Sequence, residues 1–148
     1  MTDEQYAKVR WLYRAKNAEK KLNALYHKRE CDRERAKRLA RALEGAGTGR
    51  SDSRSNVTEE SIFKLLGSGE EYEKYFSFYL SVRREIEDVI KTLGDPVAEA
   101  VFTQKYLNYM TMEEIAEKMN CSVKTIKRKH GEGLEKMSPN VLECPLLM

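Results

Sequence analysis

The chain has 148 residues and a mass of 17.2 kDa, which suit one small domain or a domain with a helical extension. Charged residues make up 34% of the chain, and no apolar run approaches the roughly 20 residues that a transmembrane helix needs, so the composition excludes a membrane span. Only 8 Gly and 3 Pro exclude a collagen-like chain. The first ten residues lack the apolar stretch of a signal peptide, so we expect a cytoplasmic protein.

Residues 3–44 predict one long helix, because they contain no Gly or Pro and are rich in good helix formers. This helix carries 13 basic and 7 acidic side chains, a net charge of +6. Gly and Ser dominate residues 45–57, which predicts a flexible loop. His27 and Cys31 lie four residues apart and would supply only half a metal site, so we expect neither a metal nor a cofactor.

A short helix is predicted over residues 58–66, and a longer helix follows it with a stripe of apolar and aromatic residues. The spacing of the stripe alternates between 3 and 4, which is typical of a helix that packs against another helix. Residues 59–95 carry a net charge of −4, so they complement the first helix and predict an antiparallel, coiled-coil-like hairpin over 1–95. The same face could also form a homodimer. The stripe consists of Tyr72, Tyr75, Tyr79, Val82, Ile86, Val89 and Leu93.

The sequence Gly94-Asp95-Pro96 marks a boundary between helices. Gly suits the left-handed end of a helix, Asp caps the next helix, and Pro fits the first turn of that helix. We therefore predict a helix from this point to Leu107, a second domain over 96–137, and a tail over 138–148 that could dock on the core or fray.

Two helices joined by a tight turn are predicted within residues 111–137. Thr111 and Glu114 form a capping box, Asn120 suits the left-handed conformation of the turn, and Ser122 can cap the second helix. Apolar residues then recur at helical spacing on both segments, which together indicate a helix-turn-helix of the DNA-binding type. They are Met112, Ile115, Ala116 and Met119 on the first helix, and Val123, Ile126, Leu134 and Met137 on the second.

The second of these helices carries four bases and no acid between Ser122 and His130. With Ile126 facing inward, three side chains point outward toward base edges, and two lysines lie on the flanks, where they would meet phosphates. Arg128 is the candidate for bidentate contact with guanine, whereas His130 is expected to pack inward. The predicted DNA-binding residues are Thr111, Ser122, Lys124, Thr125, Lys127, Arg128 and Lys129.

These residues resemble region 4 of bacterial sigma factors, and more closely the sigma-like regulators of phages and prophages of the ArpU and RinA type. The resemblance rests on Lys105-Tyr106, on the stretch from Thr111 to Ala116, and on a pattern around the second helix. It implies a transcriptional regulator that binds double-stranded DNA, activates late genes and contacts bacterial RNA polymerase. The pattern positions are Ser122, Thr125, Ile126, Arg128, His130, Gly131 and Leu134.

The sequence departs from this pattern at Lys129, where an apolar residue is usual, and at Gly133, where Ala is usual. Lys129 could lay its aliphatic stem along the core edge, and Gly133 could let the helix bend or fray early. No second DNA-binding segment is recognisable, which favours an activator over an autonomous sigma factor.

Two other function classes compete with a DNA-binding regulator. A DNA-binding packaging subunit, similar to a small terminase, could also combine a helix-turn-helix with long helices, and it would form a ring of many copies. We do not expect an enzyme, because the sequence shows no recognisable catalytic motif. It lacks a set of nucleophile and base, a carboxylate pair in an apolar pocket and a metal cluster.

Overall fold

The computed structural model describes residues 1–44 and 59–138, and all regular structure within these ranges is helical. The predicted all-α fold is therefore confirmed. The predicted loop 45–57 and the predicted tail beyond Ser138 lie outside the described residues. The helices are α1 (Asp3–Leu12), α2 (Arg14–Glu44), α3 (Glu59–Leu66), α4 (Ser68–Lys91), α5 (Pro96–Phe102), a π-helical turn (Thr103–Leu107), α6 (Met112–Met119) and α7 (Val123–Lys136).

The chain divides into two compact units. One unit combines residues 1–18 with the chain from residue 79 onward, and the other comprises residues 19–78. This division groups α1 with the predicted helix-turn-helix region, whereas the sequence placed it in a separate 1–95 region. Within the described ranges, no helix combines the length and the apolarity needed to cross a bilayer.

The long N-terminal helix predicted over 3–44 is confirmed, with a one-residue turn at Tyr13 that divides it into α1 and α2. Nε of Arg14 donates to the carbonyl oxygen of Trp11 at 3.1 Å, so a side chain engages a backbone acceptor at this point. Side chains that enter the backbone ladder are a known cause of helix interruption. The Arg14 guanidinium also contacts Glu85 of α4 at 2.6 Å within the same unit.

In the unit formed by residues 19–78, α2 and the start of α4 run antiparallel. The Lys21 ammonium lies 4.7 Å from the ring centroid of Tyr75, and the Arg29 guanidinium lies 4.3 Å from that of Tyr72. The later residue of α2 therefore contacts the earlier residue of α4, as it does when two helices run in opposite directions. Arg29 also pairs with Glu73 at 3.8 Å. These contacts join basic α2 to acidic α4, as the opposite charges predicted, although exposed ion pairs of this kind stabilise only modestly.

Helix α5 begins at Pro96 with the predicted Asp95 cap, whose Oδ1 accepts a hydrogen bond from the Val97 amide at 3.0 Å. The predicted α-helix to Leu107 is wrong in its last turn, which is π-helical. There the Asn108 amide donates to the carbonyl oxygen of Thr103, five residues back, at 3.1 Å. The wider turn leaves two consecutive residues, Tyr106 and Leu107, buried in the core.

Gly133 is required by packing rather than by bending, because α7 continues through it to Lys136. A Cβ at this position would lie 2.5 and 2.7 Å from two ring atoms of Phe102. The expected early fraying at Gly133 is therefore wrong. The missing side chain lets the Phe102 ring of α5 approach the backbone of α7, and Phe102 is itself only 1% exposed.

Candidate nucleic-acid interface

The start of α6 is fixed by two sets of hydrogen bonds. Oγ1 of Thr111 accepts from the Glu114 amide at 3.2 Å, and Oε2 of Glu114 accepts from the Thr111 amide at 3.1 Å, so the predicted capping box is present. Just before it, Nη1 of Arg83 donates to the carbonyl oxygen of Leu107 at 2.8 Å. Arg83 thus satisfies a backbone acceptor at the end of the π-helical turn and helps to hold the segment that leads into α6.

The turn between α6 and α7 has the left-handed geometry that the sequence predicted. Asn120 adopts φ 53° and ψ 43°, which Asn tolerates better than most residues other than Gly. The amide of Cys121 donates to the carbonyl oxygen of Ala116 at 3.0 Å and closes the end of α6. Ala116 is 5% exposed, so a small residue does lie inside the crossing of the two helices.

Helix α7 is capped by Ser122, whose Oγ accepts from the Thr125 amide at 3.1 Å. The hydroxyls of Ser122 and Thr125 are also hydrogen-bonded to each other, at 2.9 Å. On the inner face, Ile126 and Leu134 are almost fully buried. The inner face therefore anchors α7, and the opposite face is left for solvent or a ligand.

Three of the four bases between Ser122 and His130 lie on the exposed face of α7. Lys124 and Lys127 are exposed, and within residues 1–44 and 59–138 neither forms an ion pair. The Arg128 side chain is 65% exposed, and its Nε lies 3.9 Å from a carboxylate oxygen of Glu132. This separation is near the limit for an ion pair, so the guanidinium is easily released to a stronger acceptor.

Lys129 differs from the other three bases, because its amine contacts acidic groups of the same unit. Nζ lies 3.2 Å from Asp95 and 3.5 Å from Glu132, and the side chain is 23% exposed. The hydrogen bond from Lys129 lowers the pKa of Asp95, and the same bond raises the pKa of Lys129. A phosphate contact by Lys129 would therefore require both ion pairs to break. Among the four bases between Ser122 and His130, Lys129 has the closest ion pairs and the least exposed side chain for which an ion pair is formed.

The hydroxyls of Thr111 and Ser122 serve first as helix caps, and the hydroxyl of Thr125 is hydrogen-bonded to that of Ser122. Thr111 and Ser122 are exposed at the N-termini of α6 and α7, where backbone amides favour a negatively charged partner. Such positions commonly meet phosphate oxygens in protein–DNA complexes. The structure therefore brings both hydroxyls to helix ends, while the lysines and Arg128 line the side of α7.

His130 packs inward, as predicted, and is 8% exposed. Its Nε2 is hydrogen-bonded to the hydroxyl of Tyr106 at 2.5 Å, and its ring lies 5.2 Å from that of Phe102. Burial, assisted by the charge of Lys105, lowers the pKa of His130 to about 4. The imidazole is therefore neutral at physiological pH and belongs to the core beneath α7.

Sequence reasoning missed the role of α1 in supporting α7. Lys8 is 3% exposed, and its Nζ donates to the carbonyl oxygen of Leu134 at 2.9 Å and pairs with Glu4 at 3.0 Å. It thereby satisfies one of the free carbonyls at the end of α7. Trp11 and Leu12, which are buried on the same helix, were the signal that α1 packs against other elements. No local pattern could link Lys8 to a partner 126 residues away.

No metal centre emerges around His27 and Cys31. Across the described ranges, no group of three or more potential metal ligands is present. Cys31 is exposed as a free thiol, and the ring of His27 packs edge-on against Tyr26 at 5.8 Å.

The geometry from Thr111 to Lys136 defines a helix-turn-helix with a basic second helix. The family model described as sigma-70, region 4 matches residues 83–137, from the middle of α4 to the residue after α7. This range is less than half of the chain, and it contains every α7 residue predicted to bind DNA. The match supports a DNA-binding helix-turn-helix similar to region 4 of sigma-70 factors. Comparison of the chain with curated proteins and with solved structures gave no significant match.

Proposed function

We propose that this chain is a sequence-specific regulator of transcription that binds double-stranded DNA through α7 and acts by binding rather than by catalysis. The observation that carries the proposal is the two-sided character of α7. Ile126 and Leu134 anchor its inner face, while Lys124, Lys127 and Arg128 project from its exposed face. A helix of this kind fits the major groove of B-DNA.

Each of the three exposed bases is suited to a different kind of contact with DNA. Arg128 has the planar fork that bonds two acceptors of guanine, and its ion pair with Glu132 is long and exposed. Lys124 lies one turn earlier on the same outward face and would reach base edges or phosphates. Lys127 lies on the flank and would neutralise the DNA backbone, together with amides at the helix N-terminus.

The regulator is proposed to act in the cytoplasm as a phage or prophage activator of late genes, in contact with bacterial RNA polymerase. The resemblance to the ArpU and RinA type supports this assignment, and the match to sigma-70 region 4 is consistent with it. A reporter gene under a promoter that contains the selected DNA site would test it. Expression that rises with the protein supports an activator, and expression that falls makes the protein a repressor.

We also propose that residues 19–78 form a homodimer. Four large apolar side chains in this unit are exposed, and burial of such a surface between two copies would remove them from water. A dimer measured by sedimentation equilibrium, lost on Phe63→Asp and Phe76→Asp substitution, would support this state, and two-fold related DNA half-sites should follow. A ring of many copies would instead favour a packaging subunit. The exposed residues are Tyr26, Phe63, Leu66 and Phe76.

In vitro selection of DNA from a random pool tests the proposed reading face. The wild-type chain should enrich one sequence family, and the Lys124→Ala, Arg128→Ala double variant should lose that preference. Loss of one bidentate base contact typically costs about 1–3 kcal/mol of discrimination. A Lys118→Ala, Lys136→Ala double variant removes the same charge from exposed positions off the reading face and should select the wild-type sites.

Three outcomes of this selection would contradict the proposal. Wild-type protein that binds no DNA at low salt would exclude the function itself. Identical sites for the wild type and the Lys124, Arg128 double variant would show that α7 does not read the bases in this way. Equal losses of sequence preference in the two double variants would show that binding depends only on the net charge of the protein. Circular dichroism of each variant, with helical content unchanged, ensures that the comparison is made between folded proteins.

A further inference from the structure

A partly open cavity of about 380 Å³ lies beside α7, within the unit that contains α1 and the helix-turn-helix. Its walls come from α1, the π-helical turn, α6 and α7, so four elements converge on it. The apolar part of the wall includes Val9, Met112 and Leu134. The volume is in the range of about 300–1,000 Å³ that is typical of small-molecule sites, which are likewise apolar with a few placed polar groups.

Two lysines, Lys105 and Lys127, line this cavity, and no acidic side chain does. Nζ of Lys105 lies 5.8 Å from the ring centroid of Tyr13 and 5.7 Å from that of Tyr106. Aromatic faces compensate a cation only in part. In the part of the chain that the structure describes, neither lysine forms an ion pair. The cavity therefore combines an apolar wall with two positive charges that lack a negative partner.

His130 also lines the cavity but adds no charge to it. Its Nε2 is engaged by the Tyr106 hydroxyl, and the ring is neutral at physiological pH. Gln5 and Tyr13 add neutral polar groups to the wall, so the side-chain charge of the site comes from the two lysines. A carboxylate is the ligand group that such a pair would favour, because ammonium–carboxylate hydrogen bonds are stronger than neutral ones.

We propose that this cavity binds a small apolar monocarboxylate, with its hydrocarbon body against Val9, Met112 and Leu134 and its carboxylate at Lys105 and Lys127. The proposal concerns a ligand of the folded chain alone and holds whether or not the chain binds DNA. The positive charge of the wall favours an anionic group on the ligand. The apolar side chains in the rest of the wall favour a hydrocarbon body.

Octanoate, used below its micelle concentration, is a suitable probe, and octan-1-ol is its neutral counterpart. The full chain is labelled with ¹³C at the methionine methyl groups and titrated with each compound, and Met112→Leu assigns the reporting signal. We expect a saturable shift of the Met112 signal with octanoate and binding of octan-1-ol that is weaker by about tenfold or more. Lys105→Gln and Lys127→Gln should each weaken octanoate by about tenfold, whereas Lys118→Gln, on α6 and outside the wall, should not.

Gly131 allows a second variant that closes the cavity without disturbing the fold. It lines the cavity, and a Cβ at this position would meet no atom within 4 Å. Gly131→Leu should therefore fill the space, and the helix should tolerate it because Leu is a better helix former than Gly. We expect octanoate binding to be lost while circular dichroism and the melting temperature are not reduced.

Three results would overturn the proposal. The first is the absence of a saturable shift at Met112 in the folded wild-type chain. The second is equal affinity for octanoate and octan-1-ol that the lysine variants leave unchanged, because the site would then be an apolar surface without selection for an anion. The third is octanoate binding by folded Gly131→Leu at wild-type strength, because the ligand would then lie elsewhere.

Discussion

Replacing Gly133 with Ala tests the packing between α5 and α7, because the added methyl group would overlap the ring of Phe102. The built Cβ lies 2.5 and 2.7 Å from two ring atoms, well inside ordinary contact distance. The ring cannot easily retreat, since it is buried and packs at 5.2 Å against His130 and at 5.5 Å against Tyr106. Overpacking of this kind costs about 1–3 kcal/mol, against at most about 1 kcal/mol gained from the better helix propensity of Ala.

Gly131 provides the matched control, because it lies on the same helix and its Cβ would meet nothing within 4 Å. Gly131→Ala should raise the free energy of unfolding by up to about 1 kcal/mol. The difference between the two variants, measured by urea unfolding followed by circular dichroism, isolates the clash and should be about 1–3 kcal/mol. Equal stabilisation by both substitutions would refute the close approach of Phe102. If the clash is real, Phe102→Leu should lessen the cost of Gly133→Ala in a double-mutant cycle.

Three further perturbations test the supports of α7. The pKa of His130 is about 4 when folded and near 6.5 when unfolded, so as the pH falls from 7 to 4 the unfolded chain gains this proton almost completely and the folded chain gains only about half of it. The free energy of unfolding should therefore drop by roughly 3 kcal/mol more in the wild type than in His130→Gln, as measured by urea unfolding across that range. Lys8→Met should lower the free energy of unfolding by about 1.5–3 kcal/mol, because the Leu134 carbonyl loses a charged hydrogen-bond donor. Arg10→Met, exposed on the same helix, should change it by less than about 0.5 kcal/mol. At the left-handed turn, thermal unfolding should show Asn120→Ala less stable by about 1 kcal/mol and Asn120→Gly near neutral, whereas equal values for the two would argue against that conformation.

Features that depend on neighbouring residues were predictable from the sequence. The capping box at Thr111, the turn at Asn120 and the cap at Ser122 each depend on bonds that span only a few positions. The inward position of His130 followed from the helical period relative to Ile126. Local bonds and periodicity therefore sufficed to define the helix-turn-helix and the exposed face of α7.

Features that depend on contacts between distant segments were not predictable. The role of Gly133 is visible only once Phe102 is placed against it, and by sequence alone the glycine looked like a weakness in the helix. The partner of Lys129 is Asp95, 34 residues away, so the lysine was counted among the residues free to bind DNA. The cavity wall joins Val9 to Lys105 and Lys127, which no periodic pattern relates.

The bond between Lys8 and the end of α7 affects how the chain acquires its structure on the ribosome. The carbonyl that Lys8 binds belongs to a residue that is translated 126 positions after it. At about 5–20 residues per second, synthesis leaves Lys8 without that partner for roughly 6–25 seconds. Lys8 is 3% exposed in the folded unit, so it cannot reach this buried environment before α7 has been synthesised.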